Sequence, residues 1–264
     1  MPRRPAVQIW SAALSVVWAS TAGGQVFVPG DIYTADDSPT VSHYTPSGTF
    51  VASFTLPGAN GGSVRGLTYG SDGLVYATVA GPTGGYRVVA VDAAGNVQQT
   101  YFGTEFLNGA LYGGKIGFGS NGQFFVAGAN DLRQFTVGSP NGTVVYTNSS
   151  VTDIAPLLSG NLLVLSDAQL DEITPGGAVV RTVIASGPSA TLSGARGLAY
   201  NPATDTIYVT MFGYTGNQYR LMRVNGTTGA VERSVTYDSP DDLFLTDDGR
   251  LLVGSRTLDP ASST

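Results

Sequence analysis

The sequence predicts an all-β protein, built as a β-propeller of four-stranded antiparallel blades. Two observations lead to this prediction. The 264 residues include 36 glycines, 13 tyrosines and 11 phenylalanines, a composition that favours turns and pleated sheet over helix. In addition, a degenerate unit recurs along the chain with a period of about 40 to 50 residues, the size of one propeller blade. No stretch after the N-terminus combines helical periodicity with helix caps.

The first part of the unit is an apolar strand, a tight polar turn and a second apolar strand. Asp72-Gly73, Asn121-Gly122 and Asp248-Gly249 form three of these turns. Such dipeptides accept the positive φ that two-residue hairpin turns require. We expect these hairpins at residues 66–78, 116–126, 154–164, 197–210 and 243–253.

A second hairpin follows each of the first four and also precedes the series, with glycine where the chain reverses. Its copies lie at 43–50, 91–97, 135–144, 173–179 and 224–231. Two successive hairpins form a four-stranded sheet that cannot bury both faces alone, whereas a radial arrangement packs each sheet against its neighbours. A β-sandwich is the alternative, but it would not require this repeat. The strand count favours six blades with incomplete terminal blades, and five blades are the alternative.

The N-terminus predicts export. Arg3 and Arg4 precede the apolar run 7–18, and Ser20-Thr21-Ala22 offers small residues for a signal peptidase. The apolar run is shorter than the roughly 20 residues that span a bilayer, which disfavours the alternative of a short membrane anchor. We therefore expect a signal peptide at 1–22, a propeller domain at 23–258 and a polar tail at 259–264. The mature protein would be secreted, periplasmic or in the cell envelope, without stable membrane insertion.

The charged residues exclude several classes of function. The formal net charge is −6, which disfavours nucleic acid as a partner. The single lysine provides no polybasic membrane patch. The chain has no cysteine and one histidine, so disulfides, thiolate chemistry and cysteine zinc sites are excluded. We expect no cofactor and no metal.

Two segments carry a family resemblance. Gly66-Leu67-Thr68-Tyr69, followed by 72–77, and Gly197-Leu198-Ala199-Tyr200, followed by 207–210, resemble NHL-type repeats and the wider superfamily of six-bladed propellers that includes gluconolactonase-like and strictosidine synthase-like proteins. The resemblance covers nearly all of the mature chain. It implies the architecture, whereas such scaffolds support many activities. Gluconolactonase-like members hold a divalent metal with Glu, Asn and Asp around the central channel.

The matching strand starts in this chain carry charges of both signs instead. Equivalent positions of every blade meet around one channel mouth in a propeller, so these side chains are expected to converge there. Arginine and lysine disfavour a cation, but arginine forms bidentate pairs with carboxylates, which predicts a site for a small anionic or zwitterionic ligand. The alternative is that the charges pair with each other and stabilise the channel wall. The candidate residues are Arg65, Lys115, Asp153, Arg196, Asp241 and Asp242.

Other chemically capable residues have simpler interpretations. No serine or aspartate stands at a recognised catalytic spacing from His43, so we expect it to form a surface or interblade hydrogen bond. The acidic segments 36–37 and 238–242 do not match a calcium-loop pattern, and turn chemistry accounts for them.

These observations favour an exported, non-catalytic binding or protein-interaction module. Its partner would be a protein, a glycan or a small anionic ligand. The first alternative is a hydrolase or lyase of the six-bladed superfamily with its site at the channel mouth. The second is a structural protein of the cell envelope that has no discrete ligand.

Overall fold

The computed structural model describes residues 31–35, 38–56, 64–80, 86–101, 115–119, 122–128, 130–166, 169–185, 192, 194–212, 219–237, 243–245, 249, 251–253 and 256–258. These residues form strands and turns without any helix, so within these ranges no helix of membrane-spanning length and hydrophobicity is present. The predicted signal peptide and polar tail lie outside the described ranges, and both remain predictions.

The described strands form six antiparallel sheets, in each of which every strand pairs with the next strand along the chain. We number these sheets 1 to 6 in chain order. Sheet 1 contains β1 (Ile32–Ala35), β2 (Thr40–Tyr44) and β3 (Phe50–Thr55). Sheet 2 contains β4 (Val64–Tyr69), β5 (Val75–Ala80), β6 (Tyr86–Val91) and β7 (Val97–Tyr101). Sheet 3 contains β8 (Ile116–Phe118), β9 (Gln123–Ala127), β10 (Asp131–Thr136) and β11 (Thr143–Thr147).

The remaining three sheets repeat this pattern. Sheet 4 contains β12 (Val151–Pro156), β13 (Leu162–Ser166), β14 (Leu170–Ile173) and β15 (Val179–Ile184). Sheet 5 contains β16 (Ala195–Asn201), β17 (Thr206–Phe212), β18 (Tyr219–Asn225) and β19 (Val231–Tyr237). Sheet 6 contains β20 (Leu243–Leu245), β21 (Leu251–Val253) and β22 (Arg256–Leu258).

The predicted all-β propeller is therefore confirmed, including its consecutive antiparallel strands. The first strand of each sheet contacts the first strand of the next sheet, as expected for inner strands around an axis. The preferred count of six blades is not confirmed, whereas the alternative of five blades is. Within the described residues, the sheets at the two chain ends have three strands each and no strand pairing with one another.

Burial decreases from the inner to the outer strand of a sheet. In sheet 4 the first five residues of β12 are all buried, whereas Val179 and Val180 of the outer strand β15 are 53% and 51% exposed. Five apolar clusters fill the interfaces, and each of them lies between two consecutive sheets. This arrangement differs from the two facing layers of a sandwich, which the sequence had left as the alternative.

The turns have the predicted chemistry. Gly73, Gly122 and Gly249 of the first hairpins have φ values of +83°, +68° and +82°. In the first hairpin of sheet 5, Asp205 takes a φ of +47°, which aspartate tolerates better than most residues.

The turn of the second hairpin also joins neighbouring sheets. The Tyr101 hydroxyl of sheet 2 accepts a hydrogen bond from the backbone N–H of Gly138 in the turn of sheet 3. Gln134 of sheet 3 donates to the Pro175 carbonyl in the turn of sheet 4, at 3.4 Å. Arg181 of sheet 4 donates to carbonyls in the turn of sheet 5. Each of these side chains therefore reaches forward along the chain to the next sheet.

Candidate functional site at the inner strand ends

Arg65 and Arg196 occupy the same structural position in sheets 2 and 5. Val64 pairs with Val79 and Gly66 pairs with Thr78, so Arg65 is an extra residue at a β-bulge of β4. The register of β16 shifts in the same way between Ala195 and Gly197, around Arg196. Bulges redirect side chains and recur next to functional sites. Both arginines are half-buried.

Arg196 also contacts an aromatic ring of its own sheet. Its guanidinium carbon lies 5.9 Å from the ring centroid of Tyr219 on β18. This distance is within the range of a cation–π interaction, which orients a guanidinium without using its hydrogen-bond donors.

Lys115 and Asp153 lie one position further along the inner strands than the two arginines. Asp153 is equivalent to Gly66 and Gly197, because each is the first residue paired after the register shift of its strand. Lys115 is equivalent to Gly66 and Asp153, because all three stand three residues before the last pair of their first hairpin. Lys115 is 7% exposed and Asp153 is 6% exposed. The structure thus places the four described candidates at corresponding ends of four inner strands. Asp241 and Asp242 lie outside the described residues.

Asp153 joins two sheets. Its Oδ1 accepts a hydrogen bond from the N–H of Ile154 at 2.7 Å, and its Oδ2 accepts one from the N–H of Leu198 in sheet 5 at 2.8 Å. Hydrogen bonds to an ionised acceptor are about twice as strong as neutral ones. Asp153 therefore stabilises the interface between β12 and β16 through backbone N–H groups, and the pairing of the candidate charges with each other stays a prediction.

His43 forms a hydrogen bond with Asp31, a partner that the sequence did not predict. Its Nε2 is 2.6 Å from Oδ2 of Asp31, and its ring stacks on Tyr33 with centroids 4.5 Å apart. Burial, together with the nearby charge of Asp31, raises the pKa of the Tyr33 hydroxyl. His43 thus forms its hydrogen bond within sheet 1, whereas the sequence had predicted a surface or interblade bond. The β1–β2 register brings the partners together.

A buried carboxylate that the sequence analysis missed joins sheets 3 and 4. Asp171 is 1% exposed and accepts hydrogen bonds from the Tyr146 hydroxyl at 2.5 Å and from Thr182 Oγ1 at 2.8 Å. The amide of Gln169 donates to both oxygens of the same carboxylate. These contacts satisfy the buried charge, so Asp171 has a structural role.

A second missed group lies between sheets 4 and 5, around Glu172. The Nε of Arg181 donates to Glu172 Oε2, and the amide of Asn161 donates to Oε1, both at 2.8 Å. Burial opposes ionisation of Glu172, but these two hydrogen bonds and the arginine charge hold its pKa below its ordinary value. No sequence signal pointed to this group, because its members come from separate strands.

The described residues contain no group of three or more His, Cys, Asp or Glu side chains that could hold a metal ion. The two acidic segments considered for calcium, 36–37 and 238–242, are outside the described part of the chain.

Comparison with protein-family models and with curated proteins finds no match. Solved structures do match. Hydrazine synthase of Kuenenia stuttgartiensis superposes with a TM-score of 0.64 at 14% identity, over 86% of this chain and 71% of that chain. A protein of unknown function from Bacteroides caccae gives a TM-score of 0.57 at 14% identity, over 79% of this chain and 78% of that one.

A third match is the extracellular domain of a proposed hybrid two-component system of B. thetaiotaomicron. It gives a TM-score of 0.63 at 14% identity, and covers 99% of this chain but 34% of that one. At this level of identity the three structures share the fold with this chain, and function does not follow from them.

Proposed function

We propose that this chain is an exported, non-catalytic β-propeller that binds a small anionic ligand where its inner strands begin. The observation that supports the proposal is the equivalent bulge position of Arg65 and Arg196, with Lys115 immediately before the inner strand β8. Membership of the NHL-type and gluconolactonase-like superfamily belongs to the same proposal, on the repeat pattern alone.

Among the described candidate residues, cations outnumber carboxylates, whereas carboxylates are in excess in the whole chain. Lysine and arginine together number 13 against 19 aspartates and glutamates, yet three cations stand against one described carboxylate at these strand ends. That carboxylate, Asp153, already accepts two backbone hydrogen bonds. Cationic side chains attract anions, and a guanidinium presents a planar pair of donors to a carboxylate or phosphate.

Export is supported by the N-terminal pattern, and one of the similar solved structures is an extracellular domain of another protein. A ligand outside the cell would reach the channel mouth directly. A carboxylate or phosphate group on a small molecule or on a glycan would satisfy the same donors.

A ligand screen on the mature protein tests the proposal. Thermal unfolding is measured with a panel of di- and tricarboxylates, sugar acids and sugar phosphates, and hits are titrated by calorimetry. A specific ligand raises the unfolding temperature in proportion to its occupancy. R65Q and R196Q remove one charge each, and each should weaken binding by about 10- to 100-fold, as expected for a lost charged hydrogen bond.

R233Q is the matched control. Arg233 lies on the exposed outer strand β19, in the same sheet as Arg196, so the substitution removes equal charge away from the channel. Unchanged affinity in R65Q and R196Q, or an equal loss in R233Q, would contradict the proposed site. Turnover of the bound ligand would contradict the non-catalytic assignment and favour the hydrolase or lyase alternative.

A further inference from the structure

A cleft lies between sheets 4 and 5 where their inner strands β12 and β16 end, whereas Arg196 stands near the start of β16. Its volume is about 210 Å³, which suits one side chain or a small fragment of a ligand. The lining combines an apolar wall with a few polar groups. It is formed by Leu157, Leu158, Ser159, Leu163, Glu172, Arg181, Tyr200, Asp205, Ile207 and Gly226.

The only arginine in this lining is already engaged. Arg181 forms a salt bridge with Glu172 at 2.8 Å, and its two terminal nitrogens donate to the carbonyls of Gly226 and Thr227. Its charge is therefore matched by Glu172, and all of its nitrogens have acceptors within the protein. The remaining ionisable group of opposite sign in the cleft is Asp205.

Asp205 carries a negative charge without a salt bridge among the described residues. Its Oδ2 accepts a hydrogen bond from the Thr227 hydroxyl at 2.6 Å, and its Oδ1 accepts one from the Tyr200 hydroxyl at 3.1 Å. These hydrogen bonds hold the pKa of Asp205 below its ordinary value. Each carboxylate oxygen has a second lone pair, so Asp205 can still accept a hydrogen bond from a ligand.

The rim of the cleft contains an unusual apolar residue. Leu158 lies in the first hairpin turn of sheet 4 and is 85% exposed. The corresponding turns carry Ser71-Asp72 in sheet 2 and Pro202-Ala203-Thr204 in sheet 5. Leu158 extends the apolar wall of the cleft to its rim, where it is available to the apolar part of a ligand.

We infer that this cleft receives a lysine side chain from a partner polypeptide. A lysine carries an apolar stem and a compact ammonium group, which match the leucine wall and the Asp205 carboxylate respectively. With Glu172 and Asp205 negative and Arg181 positive, the lining has a net charge of one negative unit, which is complementary to one ammonium. The acidic chain as a whole, at a formal net charge of −6, attracts a basic partner.

The cleft is separate from the proposed anion site, because the two lie at opposite ends of the inner strands. Their tests can therefore fail independently. Substitutions at Arg65 or Arg196 should leave lysine binding unchanged, and substitutions in the cleft should leave anion binding unchanged.

The probe is a six-residue acetylated and amidated peptide with one central lysine between leucines, titrated into the mature protein by calorimetry and NMR. The same peptide with norleucine in place of lysine keeps the apolar stem and removes the charge. We expect saturable binding of the lysine peptide and at least fivefold weaker binding of the norleucine peptide. Raising the salt concentration from 50 to 500 mM, chosen to screen the pair, should reduce this difference.

D205N is the decisive variant, because asparagine also tolerates positive φ and the turn can persist. It should lower the affinity for the lysine peptide at least threefold and leave the affinity for the norleucine peptide unchanged. D72N is the matched control, since Asp72 also lies in a first hairpin turn and accepts a tyrosine hydrogen bond, but in sheet 2. L158S breaks no hydrogen bond of the cleft and removes part of its apolar wall, so it should lower the affinity for both peptides.

Three results would overturn the inference. The lysine peptide fails to bind saturably, D205N binds it as tightly as the parent protein, or D72N loses as much affinity as D205N. If D205N does not fold, L158S decides the question, because an exposed leucine can be replaced without disturbing the core. A parent-like affinity of L158S for both peptides would then overturn it.

Discussion

Gly177 is the position where one added methyl group should cost the most stability. The residue lies in the turn between β14 and β15, with a φ of +87°. A Cβ built on it would stand 1.6 Å from the carbonyl oxygen of Val145 and 2.5 Å from the carbonyl carbon, both in the outer strand of sheet 3. Backbone atoms cannot rotate away as a side chain can, so G177A must push two sheets apart.

The structure offers two controls that separate the causes. Gly48, in the equivalent turn of sheet 1, has a φ of +83° and no atom within 4 Å of its Cβ position. G48A therefore reports the cost of positive φ alone, about 1–2 kcal/mol. Gly176 precedes Gly177, and its nearest atom would be Thr174 Oγ1 at 3.9 Å. G176A should change the free energy of unfolding by less than about 0.5 kcal/mol.

G177A adds overpacking of about 1–3 kcal/mol to the conformational cost, for a total of about 2–5 kcal/mol. Urea unfolding followed by far-UV circular dichroism measures all three variants. Both tryptophans, at positions 10 and 18, lie in the predicted signal peptide, so tryptophan fluorescence would not report on the mature protein. If G177A and G48A lose free energy of unfolding to within 0.5 kcal/mol of each other, at equal m-values, the contact of Gly177 with Val145 does not join the sheets.

Further predictions concern the buried carboxylates. Y146F should lower the free energy of unfolding by about 1.5–3 kcal/mol, because it removes a hydrogen bond to the buried Asp171 carboxylate. Y44F is the control, since the Tyr44 hydroxyl has no hydrogen bond to a described residue. Burial, followed by the hydrogen bond to Asp171, raises the pKa of Tyr146 to about 12 from 10.0. Folding favours the neutral phenol, so this stabilisation is complete below pH 10 and is lost as the pH rises through 12. The difference in free energy of unfolding between the parent and Y146F, measured by urea titration, should therefore shrink over that interval. A difference that does not vary with pH would contradict this. D153N should lower the free energy of unfolding by about 1–3 kcal/mol, because one of the two acceptor oxygens becomes an NH2 donor that faces a backbone N–H. Parent-like urea midpoints would contradict the interface role of Asp153.

Local chemistry made the architecture predictable from the sequence. Asp72-Gly73 and Asn121-Gly122 specify hairpins because their backbone preferences act over two residues, whatever the rest of the chain does. The same counting placed Lys115 and Asp153 opposite Gly66 and Gly197, and the strand register confirms this equivalence. The repeat therefore indicated which residues share a structural position before their surroundings were known.

The polar networks could not be predicted in this way. Tyr146 and Asp171 are 25 residues apart, and Arg181 and Thr227 are 46 apart, so their pairing depends on how one sheet packs on the next. His43 and Asp31 are closer, but only the β1–β2 register places them together. The role of Asp153 was likewise decided by an N–H of the neighbouring sheet, which no motif encodes.

Tyr101, Gln134 and Arg181 each contact the sheet that follows their own in the chain, so these sheet-to-sheet contacts have a fixed order. At three consecutive junctions, from sheet 2 to sheet 5, a side chain of one sheet forms a hydrogen bond with the turn of the second hairpin of the next sheet, and a different residue type does so each time. Transplanting a single sheet to another place would mismatch the junctions on both of its sides. Repeats that diverge in this manner lose their interchangeability, and the order of the sheets becomes as much a part of the fold as their shape.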